Sequence, residues 1–168
     1  GLGGLGCPVL QYAAGSGIGT IGLIDNDDIE VSNLHRQTIF STNDIGKSKV
    51  EVAEKVTNMI NPETKTLIYK ERLDDKNASK IIKEYDFIVD CTDNNSSKMV
   101  INDACFENNK PLIYASVSGF FGQISTFKSY LKDKHNNPYP SYRCLKIKNV
   151  NENDCNHIGV LGPIAGVI

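Results

Sequence analysis

The chemistry-bearing residues of this chain gather behind a glycine run. Gly1, Gly3 and Gly6 have the spacing of a dinucleotide-binding turn, in which glycine allows a tight bend, admits phosphate to backbone N–H groups and lets helix and strand pack closely. Asp25 stands about twenty residues beyond Gly6, at the end of the apolar run Thr20 to Ile24, where a carboxylate can accept hydrogen bonds from a pair of ribose hydroxyls. Asn33, Arg36, Gln37 and then Lys49 follow, and fixed cations there can neutralise phosphate and stabilise charge that grows during phosphoryl transfer. Asp93 closes another apolar strand, a position that suits Mg²⁺, which takes one or two carboxylates together with phosphate oxygens and water.

Each feature also has a plainer reading. A glycine-rich turn can hold no ligand, Asp25, Asp27 and Asp28 can form a solvated acidic turn, Lys49 can be the solvated start of a helix, and Asp93 can cap one. We assign Asp28 to the surface, keep Asp25 as the ribose partner and leave Asp27 open.

Alternating helices and strands are needed to position these groups. The pattern predicts a helix from Cys7 to Gly15, with Val9, Leu10, Tyr12 and Ala13 on one face, and a buried strand at Thr20–Ile24. A helix from Lys47 to Ile60 is expected to bury Val52, Val56, Met59 and Ile60 and to stop at Asn61-Pro62. Next come a strand at Leu67–Tyr69, a short helix from Asn77 to Lys83, and a strand at Phe87–Val89 that leads into Asp90-Cys91-Thr92-Asp93. A helix over 96–108 and a strand at Leu112–Ala115 continue the alternation. Gly122–Phe127 reads as a strand with no helix before it, and Lys132 to Tyr142 as an exposed crossover loop. The class is α/β, with a Rossmann-like, largely parallel sheet, helices on both faces and antiparallel strands at the end. The chain reads as a fragment truncated at both ends: the strand that should precede Gly1 is missing, and Pro163 to Ile168 looks like the opening of a further buried helix.

Composition narrows the function classes. With 168 residues, 40% hydrophobic and 23% charged, the chain can bury one ordinary core, so one domain is expected. A net charge of −2 with scattered basic residues offers no field for nucleic acid. No apolar stretch approaches the roughly 20 residues needed to cross a bilayer, so no membrane partner is expected. Five cysteines, an odd number without the density of a disulfide framework, point to a reducing, cytoplasmic setting.

Taken in order, Gly1-Leu2-Gly3-Gly4-Leu5-Gly6, Asp25, Ser32-Asn33-Leu34-His35-Arg36-Gln37, Gly46-Lys47-Ser48-Lys49-Val50 and Asp90-Cys91-Thr92-Asp93-Asn94 resemble the ThiF/MoeB/HesA family, which includes the ubiquitin-activating enzymes. Within it the motifs are most similar to the eukaryotic adenylyltransferase and sulfurtransferase proteins. The resemblance implies a ThiF-type ATP-binding adenylation domain over residues 1–168, with Gly3 and Gly4 against the phosphates and Asp25 on the ribose. It places Asn33, Arg36 and Lys49 on the triphosphate, makes Gln37 their support, and assigns Mg²⁺ to Asp93. Its reaction is adenylation of the C-terminal glycine carboxylate of a ubiquitin-like sulfur carrier, with release of pyrophosphate. Homodimers, and a phosphate-contacting arginine supplied by the adjoining subunit, come with the same resemblance, so the fragment by itself is expected to be feeble or inactive.

The resemblance extends to the cysteines. Asn153-Asp154-Cys155-Asn156-His157 matches the segment in which sulfur-transfer members carry a thiol for thioester or acyl-persulfide transfer, which makes Cys155 the nucleophile of interest beside a plain loop cysteine. Cys144 matches one half of a zinc-binding pair whose other position is Ser141, a poor ligand, so no zinc is expected in this fragment. Cys7, Cys91 and Cys105 read as packing residues, and His135 and His157 as surface residues. Two rival readings remain. An NAD-dependent dehydrogenase accounts for the glycines and Asp25 but not for the cluster from Asn33 to Lys49, and a non-catalytic subunit of an activating heterodimer accounts for the fold but not for the filled Arg36, Lys49 and Asp93 positions.

Overall fold

The computed structural model describes residues 1–145 and 159–168, and the chain folds as two compact units: residues 1–72 with 161–167, and residues 73–160 with 168. In the first unit, helix α1 (Gly6–Gly15) starts inside the glycine run, where the Cys7 amide donates to the Gly3 carbonyl at 3.1 Å. Its buried face is Cys7, Leu10 and Ala14, while Val9 and Tyr12 are exposed, so the apolar face is rotated from the predicted one. The small residues lie inward because they let the helix sit close to its neighbours.

Strand β1 (Thr20–Ile24), with the bounds read from the sequence, pairs in parallel with β2 (Lys65–Tyr69), placing Ile24 opposite Tyr69. Polar side chains close the connections: Asn61 donates to the Ala14 carbonyl at 3.2 Å and Thr64 to the Ile18 carbonyl at 3.0 Å. Helix α2 (Lys49–Ile60) packs on α1 and both strands. It buries Val50, Val52, Ala53 and Thr57, whereas Met59 and Ile60 are exposed, which corrects the predicted stripe. Val50, Ala53 and Thr57 recur at helical spacing, and the Thr57 hydroxyl is satisfied by donating to the Ala53 carbonyl at 2.9 Å. A polar residue can therefore lie inward there. A short helix over Gly162–Val167 buries only Ala165 and leaves Val167 exposed, so the expected buried helix is largely open on its outer face.

In the second unit a short helix α3 (Ala78–Ile82) precedes β3 (Ile88–Asp90), and helix α4 (Asn95–Glu107) leads to β4 (Leu112–Ser118) and β5 (Phe121–Phe127). β3 and β4 are parallel, with Asp90 opposite Tyr114, and β4 and β5 are antiparallel. The expected change from parallel to antiparallel order therefore falls at β5. Ile82, Ile101, Ala104, Leu112, Tyr114 and Phe127 form the core. The crossover region is exposed through most of its length but ends at Tyr142, which is buried rather than part of the loop surface. The Tyr142 amide donates to Asn102 Oδ1 and its hydroxyl to Asn95 Oδ1, both at 3.0 Å, and its ring lies 5.1 Å from that of Tyr114. Among the described residues no helix is long and apolar enough to cross a membrane.

Candidate functional site

In the first unit the end of β1 is tied back to the glycine run. Asp25 Oδ2 accepts from the Leu2 amide at 2.6 Å, and Oδ1 accepts from the Asp27 amide at 2.9 Å. Both carboxylate oxygens thus hold backbone, which fixes the direction in which the glycine turn leaves. Space around that turn is uneven. A Cβ at Gly3 would meet nothing within 4 Å, but one at Gly4 would stand 3.3 Å from Arg36 Cγ and 3.2 Å from Ala165 Cβ.

Arg36 is held by its own segment. Its Nη2 donates to Asn33 Oδ1 at 2.9 Å, and Nη1 donates to the Ser32 carbonyl at 3.3 Å and to His35 Nε2 at 3.0 Å. Because a guanidinium can only donate, His35 Nε2 must be the accepting nitrogen, an assignment made from chemistry. The bend is fixed further by Gly162, where a Cβ would come within 2.6 Å of the His35 carbonyl oxygen. Gln37 is buried, and its Oε1 has no hydrogen-bond partner among the described residues.

Lys49 is buried at the first turn of α2, and its ammonium donates to Asp27 Oδ2 at 2.7 Å while its amide donates to the Asp27 carbonyl at 3.1 Å. The reading of Lys49 as a solvated helix start is therefore wrong, and Asp27, left open above, is its partner. Nothing in the spacing signals that pair, since the two residues meet only after α2 folds against the β1 exit. Asp28 is exposed and lies 4.0 Å from the Lys70 ammonium, as fits its assignment to the surface.

Asp93 belongs to the second unit. It is exposed, and its carboxylate makes no hydrogen bond or ion pair with the described residues. The helix cap is Asn94 instead, whose Oδ1 accepts from the Ser97 amide at 2.8 Å, so Asp93 is not the N-cap that the plainer reading offered. Gly3, Gly4, Asp25, Asn33, Arg36, Gln37 and Lys49 all lie in the first unit. Cys155 and His157 lie outside the described residues.

The other thiols divide by burial. Cys7 and Cys105 are buried, and burial, reinforced by the Asp90 charge, pushes the Cys105 thiol up to about 12. Burial also pushes the Cys91 thiol up. Cys144 is exposed, with its sulfur 3.5 Å from the Ser141 amide that donates to it. Among the described residues no group of three or more His, Cys, Asp or Glu side chains is arranged to hold a metal.

The ThiF family model matches residues 1–168. A probable molybdopterin-synthase adenylyltransferase of Porphyra purpurea is 45% identical over 172 residues, covering 100% of this chain and 43% of that protein. A sulfur carrier protein adenylyltransferase of Thermus thermophilus is 38% identical over 171 residues, covering 100% of this chain and 62% of its own length. The chain thus spans less than two thirds of either relative. E. coli tRNA N6-threonylcarbamoyladenosine dehydratase, TcdA, solved with AMP and with ATP, superposes with a TM-score of 0.69 at 29% identity over 72% of this chain and 51% of its own. With a family match along its whole length and relatives this similar, the chain belongs to the ThiF family.

Proposed function

We propose that this chain is the ATP-binding adenylation domain, residues 1–168, of an enzyme that activates the C-terminal glycine carboxylate of a ubiquitin-like sulfur carrier. A carboxylate oxygen attacks the α-phosphorus of ATP, the bond to the β-phosphate oxygen breaks, and pyrophosphate leaves behind an acyl adenylate. The carboxylate is already ionised, so no general base is needed, and the work falls to positioning and charge neutralisation.

The observation that carries the reading is the buried Lys49 ammonium, together with Arg36, whose Cγ and Cδ lie against Gly4 and whose guanidinium is held by Asn33. These are two fixed cations on the segment that also carries the glycine turn and Asp25. Open space at Gly3 leaves room for an occupant beside the glycine turn. The adenylyltransferase names of the relatives and the nucleotide-bound TcdA structures support the same choice. A dehydrogenase would use the glycines and Asp25 and leave both cations without a role. Asp25 would hold the ribose, Asn33 and Arg36 the triphosphate with Lys49, and Gln37 would back them.

Asp93 would hold Mg²⁺: its exposed carboxylate is a hard oxygen donor with no protein partner among the described residues, and the ion would complete its shell with phosphate oxygens and water while neutralising their charge. The Cys155 thiolate would attack the acyl carbonyl of the adenylate, forming a thioester as AMP leaves; an acyl persulfide would form, again with loss of AMP, where the attacking group is a cysteine persulfide whose outer sulfur comes from a separate persulfide donor. The full-length protein would work in the cytoplasm as a homodimer, and light scattering tests the dimer. The decisive experiment for the function is ATP/pyrophosphate exchange by the full-length protein. Exchange should depend on a sulfur carrier with a free C-terminal glycine, and exchange that proceeds equally well without one would overturn the proposal.

A further inference from the structure

The second unit contains a buried charge cluster that the proposed chemistry does not use. Lys98 and Asp90 are both buried, and the Lys98 ammonium donates to Asp90 Oδ2 at 3.2 Å and to the Ala115 carbonyl at 2.8 Å, lying 4.8 Å from the centre of the Tyr114 ring. The other oxygen, Asp90 Oδ1, accepts from both the amide and the hydroxyl of Thr92, at 2.9 and 2.6 Å.

Neither stability nor helix formation explains a lysine there. Burying an ion pair costs desolvation that its attraction often fails to recover, and well-packed apolar residues of the same volume frequently do as well. A cation in the first turn of a helix also opposes the macrodipole, and Lys98 follows the N-cap Asn94 by one turn. What the cluster does achieve is local. It locks the turn from Asp90 to Thr92 immediately before Asp93, while the Asn94 cap locks the backbone immediately after it. Between two fixed points stands one carboxylate with no protein partner among the described residues.

We propose that Lys98 is a positioning residue: acting through Asp90 and Thr92, it sets the place and direction of the Asp93 carboxylate toward a divalent cation. The inference rests on the reading of Asp93 as the Mg²⁺ ligand. The side chains that support a metal ligand characteristically change metal affinity by about 10- to 100-fold when removed.

The test uses full-length protein and Mn²⁺ as the probe, titrated by electron paramagnetic resonance in the presence of a non-hydrolysable ATP analogue. Urea unfolding is run alongside to establish that each variant folds. Lys98→Met should weaken Mn²⁺ binding by about tenfold, leave metal-free affinity for the analogue within about twofold, and be largely rescued in Lys98→Arg. A folded Lys98→Met protein that binds Mn²⁺ as the wild type does, while Asp93→Ala loses it, would overturn the positioning role and leave Asp93 as the ligand. Unchanged affinity in Asp93→Ala itself would overturn the reading of Asp93 and this inference with it. Should Lys98→Met fail to fold, Thr92→Val removes only the hydroxyl bond to Asp90. A several-fold weakening of Mn²⁺ binding then supports the proposal, and wild-type affinity overturns it.

Discussion

Two buried lysines, one in each unit, pair with aspartates in opposite ways. The Lys49 side chain is 6% exposed but its partner Asp27 is 58% exposed, whereas Lys98 and Asp90 are 3% and 1% exposed. Lys49 keeps donors with no protein partner among the described residues, and its one counter-ion faces water, so an incoming phosphate can join or replace it. Lys98 divides its donors between a carboxylate and a carbonyl and has an aromatic face beside it. The first arrangement is built to exchange partners. The second is built to stay as it is, and its effect is felt through the turn that it holds.

This contrast can be broken most directly at Lys49. Lys49→Ala should fold cooperatively yet lower carrier-dependent ATP/pyrophosphate exchange by about 10²- to 10³-fold, the usual loss when a group that stabilises transition-state charge is removed. Exchange within twofold of the wild type would remove Lys49 from the site. At Lys98 the main loss should be stability. Lys98→Met leaves Asp90 buried and uncompensated and should cost about 3 kcal/mol in urea unfolding, whereas Lys98→Met combined with Asp90→Leu should recover most of it. A double variant as unstable as the single one would show that the pair is held together by more than its charges.

A third pair sharpens the comparison from the exposed end. Lys47 and Asp44 lie 3.0 Å apart with side chains 52% and 20% exposed, and Asp44 also accepts from the Ser41 hydroxyl and amide. Those hydroxyl and lysine bonds, followed by the amide bond, hold the Asp44 carboxyl down at about 2, against 3.8 unperturbed. A depressed carboxylate stabilises the fold above its unfolded pKa and loses that contribution as pH falls through the folded one. Asp44→Asn should therefore cost about 1 kcal/mol near pH 7, with the difference from wild type narrowing below pH 4 and closing near pH 2. A pH-independent difference would mean that the bonds act without their charge.

Much of the fold was legible because local pattern decides it. The apolar run Thr20–Ile24 forms a strand with the bounds that its pattern gives, although only Leu23 of it is buried; Asn61 stops α2 where it was expected to. The glycine spacing, Asp25 and the Asn33–Gln37 segment could be grouped as a candidate site from residue type and order, and all of them fall in the first unit. Helix faces were less legible, since residue type alone made Met59 and Ile60 core residues, while the buried face runs through Val50, Ala53 and Thr57, and a threonine can satisfy itself within the helix. Tyr142 was hidden for a related reason. Its burial depends on Asn95, Asn102 and Tyr114, none of which is near it in sequence.

The sequence by itself determined the α/β class, the strand ends that carry acidic residues, the cations suited to phosphate and the resemblance to the ThiF family, because each rests on residue type and short-range spacing. Only the tertiary structure decided that Lys49 is buried against Asp27, that Asp93 is free of the helix cap, and that Lys98 and Asp90 lock the turn before it. Ion pairing and burial depend on which segments meet in space, and the energy of a charge is set by the neighbours and water around it rather than by its place in the chain.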